Sequence, residues 1–186
     1  MKTKLFLTSA LIAVAGLAPE ARAADPVYLK NFREIWSSYV SATGVDGRDQ
    51  TLRDLYRFNV DRLPKLGLPA ELSSDVVLAT TELGGAFCKQ AVVQEKALPR
   101  GQRLLFGYVD FARGPSQFTT YLKEMVADHL AQIFWQRNVL TPEVAVIGTI
   151  IDKTIAAGGT DTPEATEALM HSLCTTYASS ISFLVK

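Results

Sequence analysis

Three times in this chain a residue with a short oxygen-bearing side chain stands directly before a proline: Asp25-Pro26, Thr141-Pro142 and Thr162-Pro163. An oxygen at the N-cap accepts one of the backbone N–H groups that the first helical turn leaves unpaired. Proline one step later has no N–H to lose and a φ already set for the helix. Each pair therefore reads as a helix start, and Gly44 and Gly158 stand where helices should end. Between these marks apolar residues recur at spacings of three and four, and long β-branched alternations are few. The expected fold is all-α, a single-domain bundle of about six helices. The length of 186 residues suits one domain, and an apolar fraction of 48% excludes a disordered chain.

The first helix is expected over 26–43, with Leu29, Phe32, Trp36, Tyr39 and Val40 on one face. Asp46 or Asp49 opens a second that reaches Leu63 and buries Leu52, Leu55, Tyr56, Asn59 and Leu63. The charges Asp49, Arg53, Asp54, Arg57, Asp61 and Arg62 form its exposed lattice. Pro64 stops it, and a loop over 65–71 follows. Ser73 or Ser74 caps a third helix that reaches Val93 and buries Val76, Val77, Thr80, Leu83, Phe87 and Ala91. The linker over 97–114 is apolar enough to fold over the core as a short helix or extended piece. Gly114-Pro115-Ser116 opens a fourth helix to Asn138, with Phe118, Tyr121, Leu122, Met125, Val126, His129, Ile133 and Phe134 inward. The fifth, over 142–157, is apolar on most sides, which suggests a central position. Its β-branched residues would suit a strand, but the Thr-Pro start and its length favour a helix. The sixth covers 163–184.

Lys2 and Lys4, the apolar run over 5–17 and the triplet Ala21-Arg22-Ala23 have the order of a secretory signal peptide. The rival, a membrane helix, needs about 20 apolar residues. Residues 1–23 are therefore expected to be removed, leaving a helical domain over 24–186 that begins at Ala24, in the periplasm or outside the cell. No second stretch is expected to anchor it in a membrane. Nineteen basic residues balance nineteen acidic ones, so no basic face points to nucleic acid.

The chain has two cysteines. In an oxidising compartment they are most simply one disulfide, Cys88–Cys174. Closing so long a loop stabilises by roughly 3–5 kcal/mol in the chain-entropy account. The alternative is a nucleophilic Cys174 with His171, one helical turn away, as its base. Gly84 and Gly85 in the third helix either mark a close helix crossing or leave room for a ligand or partner backbone. Phe106, Tyr108 and Phe111 in the linker are candidates for a lid over an apolar ligand.

His129 and His171 are the only histidines, and neither has ligand-type neighbours, so no metal or cofactor is expected. His-Glu-x-x-His, EF-hand, P-loop, Gly-x-Ser-x-Gly and haem-attachment patterns are absent, and no catalytic residue is nominated by motif. The hydroxyl-rich run over 175–182 is either a polar strip for a sugar or peptide, or a packing surface of small residues. Trp36 and Trp135 are expected in the core. Arg100 and Arg103 are candidates for a small anion site, and Asp110 with Arg113 for a local ion pair.

Thr43-Gly44-Val45, Tyr56, Leu63-Pro64, Leu72-Ser73 and Phe87-Cys88, followed by Asp110-Phe111, the Thr-Pro helix, Leu173-Cys174 and Ser179-Ser180, carry a resemblance. In this order they resemble a helical segment of exported proteobacterial proteins, some of which also carry a LamG-type β-sandwich. The chain has no room for such a sandwich. The resemblance implies a disulfide-closed helical module and transfers no catalytic residue. Three functions follow as expectations: a non-enzymatic interaction or structural module of the envelope whose partner is another envelope or secreted protein, a binding module for a small apolar ligand, or a hydrolase-like enzyme using Cys174 and His171.

Overall fold

The computed structural model describes residues 27–65, 72–158 and 160–186. Seven α-helices form, with no named strand among the described residues: α1 (Phe32–Thr43), α2 (Gln50–Asn59), α3 (Ser74–Lys96), α4 (Thr120–Trp135), α5 (Thr141–Gly158), α6 (Pro163–Ala178) and α7 (Ile181–Leu184). Short 3₁₀ turns follow α2 and punctuate the long linker before α4.

The antiparallel pair α3 and α6 forms the centre. Gly84 lies opposite Ala178, Cys88 is bonded to Cys174, and Lys96 pairs with Glu167, so the two chains run past each other in opposite directions. Helices α1 and α2 pack on α3, while α4 and α5 pack on α6 and on each other. The buried Tyr39 hydroxyl ties three helices together. It donates to the carbonyls of Thr80 in α3 (2.8 Å) and Ala178 in α6 (3.2 Å), and its ring stacks between Phe87 and Phe183.

Several expected boundaries move. Asp25-Pro26 lies outside the described residues, and α1 starts at Phe32. Asn31 caps it by accepting from Arg33 N and Glu34 N while the Glu34 carboxylate accepts from Asn31 N, a full capping box. The stretch before it is extended and runs antiparallel to the C-terminus, with Leu29 bridged to Val185 and backbone bonds from Lys30 N to Leu184 O and Lys186 N to Tyr28 O. Asp49 is the cap that opens α2, and Ser73 the one that opens α3, which runs on to Lys96. Most of the expected 65–71 loop lies outside the described residues. Pro115 opens only a 3₁₀ turn, and α4 begins after its own cap, Thr119. The sixth helix breaks at Ser179-Ser180 and resumes as α7.

Burial corrects four readings. Val77 and Tyr121 point outward. Trp36 and Trp135 are half-buried, packed against the core rather than inside it. Helix α5 is peripheral: Ile147 and Ile151 are buried, but Val146 is 59% exposed. Helix α3 has a mean hydropathy of 1.2 over its most apolar stretch and is long enough to cross a membrane by length and composition alone. The expectation that no stretch beyond the N-terminal run is long and apolar enough to cross a membrane is thereby corrected. Here α3 is the core helix, buried along Ala79, Leu83, Phe87 and Ala91.

The linker is held by a residue that sequence reasoning did not single out. Glu95 is buried on α3, and its carboxylate accepts three backbone N–H groups, from Leu104 (3.0 Å), Leu105 (2.8 Å) and Phe106 (2.8 Å). Gln117 fastens the far end, accepting from Asp110 N and donating to the carbonyls of Asp110, Arg113 and Gly114.

Candidate functional site

The reactive groups nominated by the sequence are structural in the fold. Cys88 and Cys174 are joined and fully buried, so Cys174 offers no thiolate. The His171 ring nitrogen Nε2 lies 2.9 Å from the carbonyl of Gly85. A carbonyl can only accept, so this nitrogen carries a proton and bridges α6 to α3. The Cys174–His171 nucleophile is therefore corrected: its sulfur is bonded and its base is turned to the backbone. His129 behaves likewise, with Nε2 at 2.8 Å from Leu104 O and its ring against Tyr108.

The hydroxyl-rich run turns inward on its own helix. Thr175, Thr176 and Ser179 donate to the carbonyls of His171, Ser172 and Thr175, and Ser180 receives the Trp135 indole N–H (2.6 Å). At Gly84 a Cβ would stand 3.2 Å from Ala178 Cβ and 3.3 Å from the Tyr39 hydroxyl, the geometry of a close crossing. At Gly85 the nearest atom, Thr175 Cγ2, is 3.7 Å away.

The aromatic linker packs onto the core. Phe106 and Phe111 are buried edge to face at 5.7 Å and fill the core, while Tyr108 is exposed. Arg100 and Arg103 do not form an anion site. Arg100 pairs with Asp110, replacing the expected Asp110–Arg113 pair. Arg103 donates to the carbonyls of Leu98 and Val109 and covers the Phe111 ring.

Beside a small groove of about 280 Å³ lined by Lys30, Phe134 and Phe183, three larger surface grooves lie among the described residues. One, about 650 Å³, lies between α4 and α5 and carries Lys123 against Glu124, Asp128 and Asp152, so it is acidic rather than cationic. Lys123 pairs with Asp152, and Asp128 accepts from Val139 N and Gln132 Nε2. A second, about 450 Å³, lies between α2 and α3 over Leu52, Ala86 and Val93.

The third differs in chemistry. It holds about 460 Å³ between α1, the turn after it and α2, lined by Trp36, Gly47, Arg48, Arg53, Tyr56 and Arg57. Its construction follows from the turn. Gly44 ends α1 in the left-handed region (φ 66°), and Asp46 accepts from Arg48 N (2.9 Å). Gly47 packs onto α1 so closely that a Cβ there would lie 2.8 Å from Val40 Cγ2 and 3.3 Å from Trp36 Nε1. The turn thus closes over the indole edge and leaves Arg48 at the rim. On α2, Arg53, Tyr56 and Arg57 stand at i, i+3 and i+4 and share a face. Tyr56 and Trp36 rings lie 4.7 Å apart, and Trp36 meets Phe87 edge-on at 5.1 Å.

The groove is rich in donors. Arg57 pairs with Asp54 (3.0 Å) at the surface, where such pairs contribute little. Among the described residues no carboxylate pairs with Arg48 or Arg53, and none accepts the Trp36 indole N–H. No buried side-chain polar atom lacks a partner, so that N–H meets solvent in the groove. Burial raises the pKa of the Tyr56 phenol, an effect opposed by the Arg33 charge, so at neutral pH the phenol keeps its proton. Among the described residues no group of three or more His, Cys, Asp and Glu side chains could hold a metal.

Fold and surface together define, among the described residues, a disulfide-closed, all-α bundle with a groove of three arginines and two aromatics between α1 and α2. No protein-family model, no curated protein and no solved structure matches the chain.

Proposed function

We propose that the protein is an exported, non-enzymatic interaction module of the bacterial envelope whose partner is another envelope or secreted protein. The observation that carries this reading is the composition of the α1–α2 groove: one Trp, one Tyr and three Arg on a single concave surface. These residue types dominate binding energy where proteins meet, because they offer large rigid area together with directed donors. The rest of the molecule suits a scaffold. Its cysteines, histidines and helix hydroxyls serve internal bonds, which supports binding over chemistry. The cross-link between α3 and α6 accords with an oxidising compartment, as do the signal-like residues 1–23 and the resemblance to exported helical segments.

The test is affinity capture of the tagged chain from its native envelope under mild cross-linking, with mass spectrometry of both partners. One reproducible protein partner, on a chain that begins at Ala24, is the expected result. A chain retained in the cytoplasm with its first 23 residues intact, or no partner above background, would overturn the reading.

A further inference from the structure

We propose that the α1–α2 groove receives an acidic segment of the partner, with carboxylates held by Arg48, Arg53 and Arg57; this rests on the interaction reading above. The first support is the imbalance of hydrogen-bonding groups. Arg48, Arg53, Arg57, Trp36 and Tyr56 line the groove, with Arg57 already bonded to Asp54, and of their polar groups only the phenol oxygen can also accept. Among the described residues Arg48 and Arg53 have no carboxylate partner. A ligand that completes the site must bring acceptors, and a guanidinium meets a carboxylate with two parallel N–H···O bonds.

The second support is placement. Arg53 and Arg57 stand one helical turn apart on α2, about 6 Å along the axis, and Arg48 faces them from the turn. Cationic groups set one turn apart suit alternate acidic side chains of an extended strand, which project on one face at a similar repeat. The Trp36–Tyr56 pair between them supplies apolar floor for the methylene stems.

The third support separates a peptide from an anionic lipid surface. Asp54 on α2 and Asp61 in the 3₁₀ turn after it have side chains 58% and 87% exposed. A flat anionic bilayer laid on α2 would meet these carboxylates as well as the arginines. A narrow acidic segment seated on Arg48 and Arg53 meets Asp54 alone of the two, and Arg57 already pairs with it.

The experiment uses the two tryptophan indole N–H signals in a ¹⁵N-correlated NMR spectrum of the 24–186 chain. The Trp135 indole is bonded internally to Ser180 Oγ and serves as the reference, whereas the Trp36 indole opens to the groove. A hexaglutamate peptide is titrated in, with hexalysine, inorganic phosphate and anionic phosphatidylglycerol vesicles as comparisons. The proposal expects saturable shifts of the Trp36 indole and of backbone amides over 47–57, with the Trp135 indole unmoved. The affinity should fall about tenfold or more in the Arg48→Gln/Arg53→Gln double variant, whose unchanged Trp135 signal reports an intact fold. Overturning results are no saturable shift at millimolar peptide, equal affinity in the double variant, or equal affinity for hexalysine, phosphate or vesicles. If the peptide fails while a protein partner is still captured from the envelope, the acidic-segment proposal falls and the interaction reading stands.

Discussion

Gly84 and Gly85 are neighbours with opposite tolerances. A Cβ at Gly85 meets nothing closer than 3.7 Å, whereas at Gly84 it would press on Ala178 Cβ at 3.2 Å and on the Tyr39 hydroxyl. Alanine in a helix interior gains roughly 1 kcal/mol over glycine. Gly85→Ala should therefore raise the melting temperature by about 2–4 °C. Gly84→Ala should leave it unchanged or lower, since overpacking typically costs about 1–3 kcal/mol; thermal melts of the two variants side by side check this. The glycine pair showed in the sequence as a crossing point, but only the partner helix separates the two positions. Glu95 is the converse case. It joins the buried stripe after Cys88, Ala91 and Val92 only because α3 runs past the expected end at Val93 to Lys96, and its partners are backbone N–H groups of a loop with no periodicity to read. Glu95→Ala would leave three N–H groups without their acceptor. It should cost roughly 2–5 kcal/mol by denaturant unfolding, with Glu95→Gln, which keeps one oxygen, costing less.

Among the elements, α5 shows where sequence pattern misleads. Val144, Val146, Ile147, Ile150, Ile151 and Ile155 make it apolar on most sides, yet it lies at the edge of the bundle, with Ile147 and Ile151 inward. Hydrophobicity all round marks a helix as able to be central, but the disulfide-bonded α3–α6 pair already occupies that position. Val146→Ser should change stability by less than about 0.5 kcal/mol, while Ile151→Ala should cost about 2–5 kcal/mol. Equal effects in urea unfolding would return α5 to the centre. Caps were legible where a side chain bonds within its own turn, as at Asp49, Ser73 and Thr162. The start of α1 moved because residues 27–30 pair with the C-terminus, a long-range contact that outweighs a local apolar spacing. The α1–α2 groove was half legible. Trp36 and Tyr56 appeared on core faces and Arg53 and Arg57 in a charge lattice, Arg48 was not singled out, and it is the turn at Gly47 that joins them into one surface.

For the whole molecule, the acidic groups set how stability varies with pH. Asp161 is held below the usual carboxylate range by hydrogen bonds from the Ser116 hydroxyl and backbone N–H. Glu143 is lowered by its bonds from Arg137, and Asp49 by the N–H groups it caps. Each is harder to protonate in the folded state, so in acid the unfolded chain binds more protons. Their contribution is present above the ordinary carboxylate pKa of about 4 and is lost as pH falls through the lower folded values. Melting temperature should accordingly hold steady from pH 7 to about pH 5 and decline below about pH 4; a flat profile down to pH 2 would remove these groups from the account. The central claim concerns what the bundle holds at its surface. Its most direct measurement places a photo-reactive phenylalanine analogue at position 58, one residue from Arg57 and 73% exposed, in cells that make the protein. The account predicts a light-dependent adduct with one partner protein, lost in the Arg48→Gln/Arg53→Gln variant at equal abundance. No adduct, or one indifferent to those arginines, would contradict it.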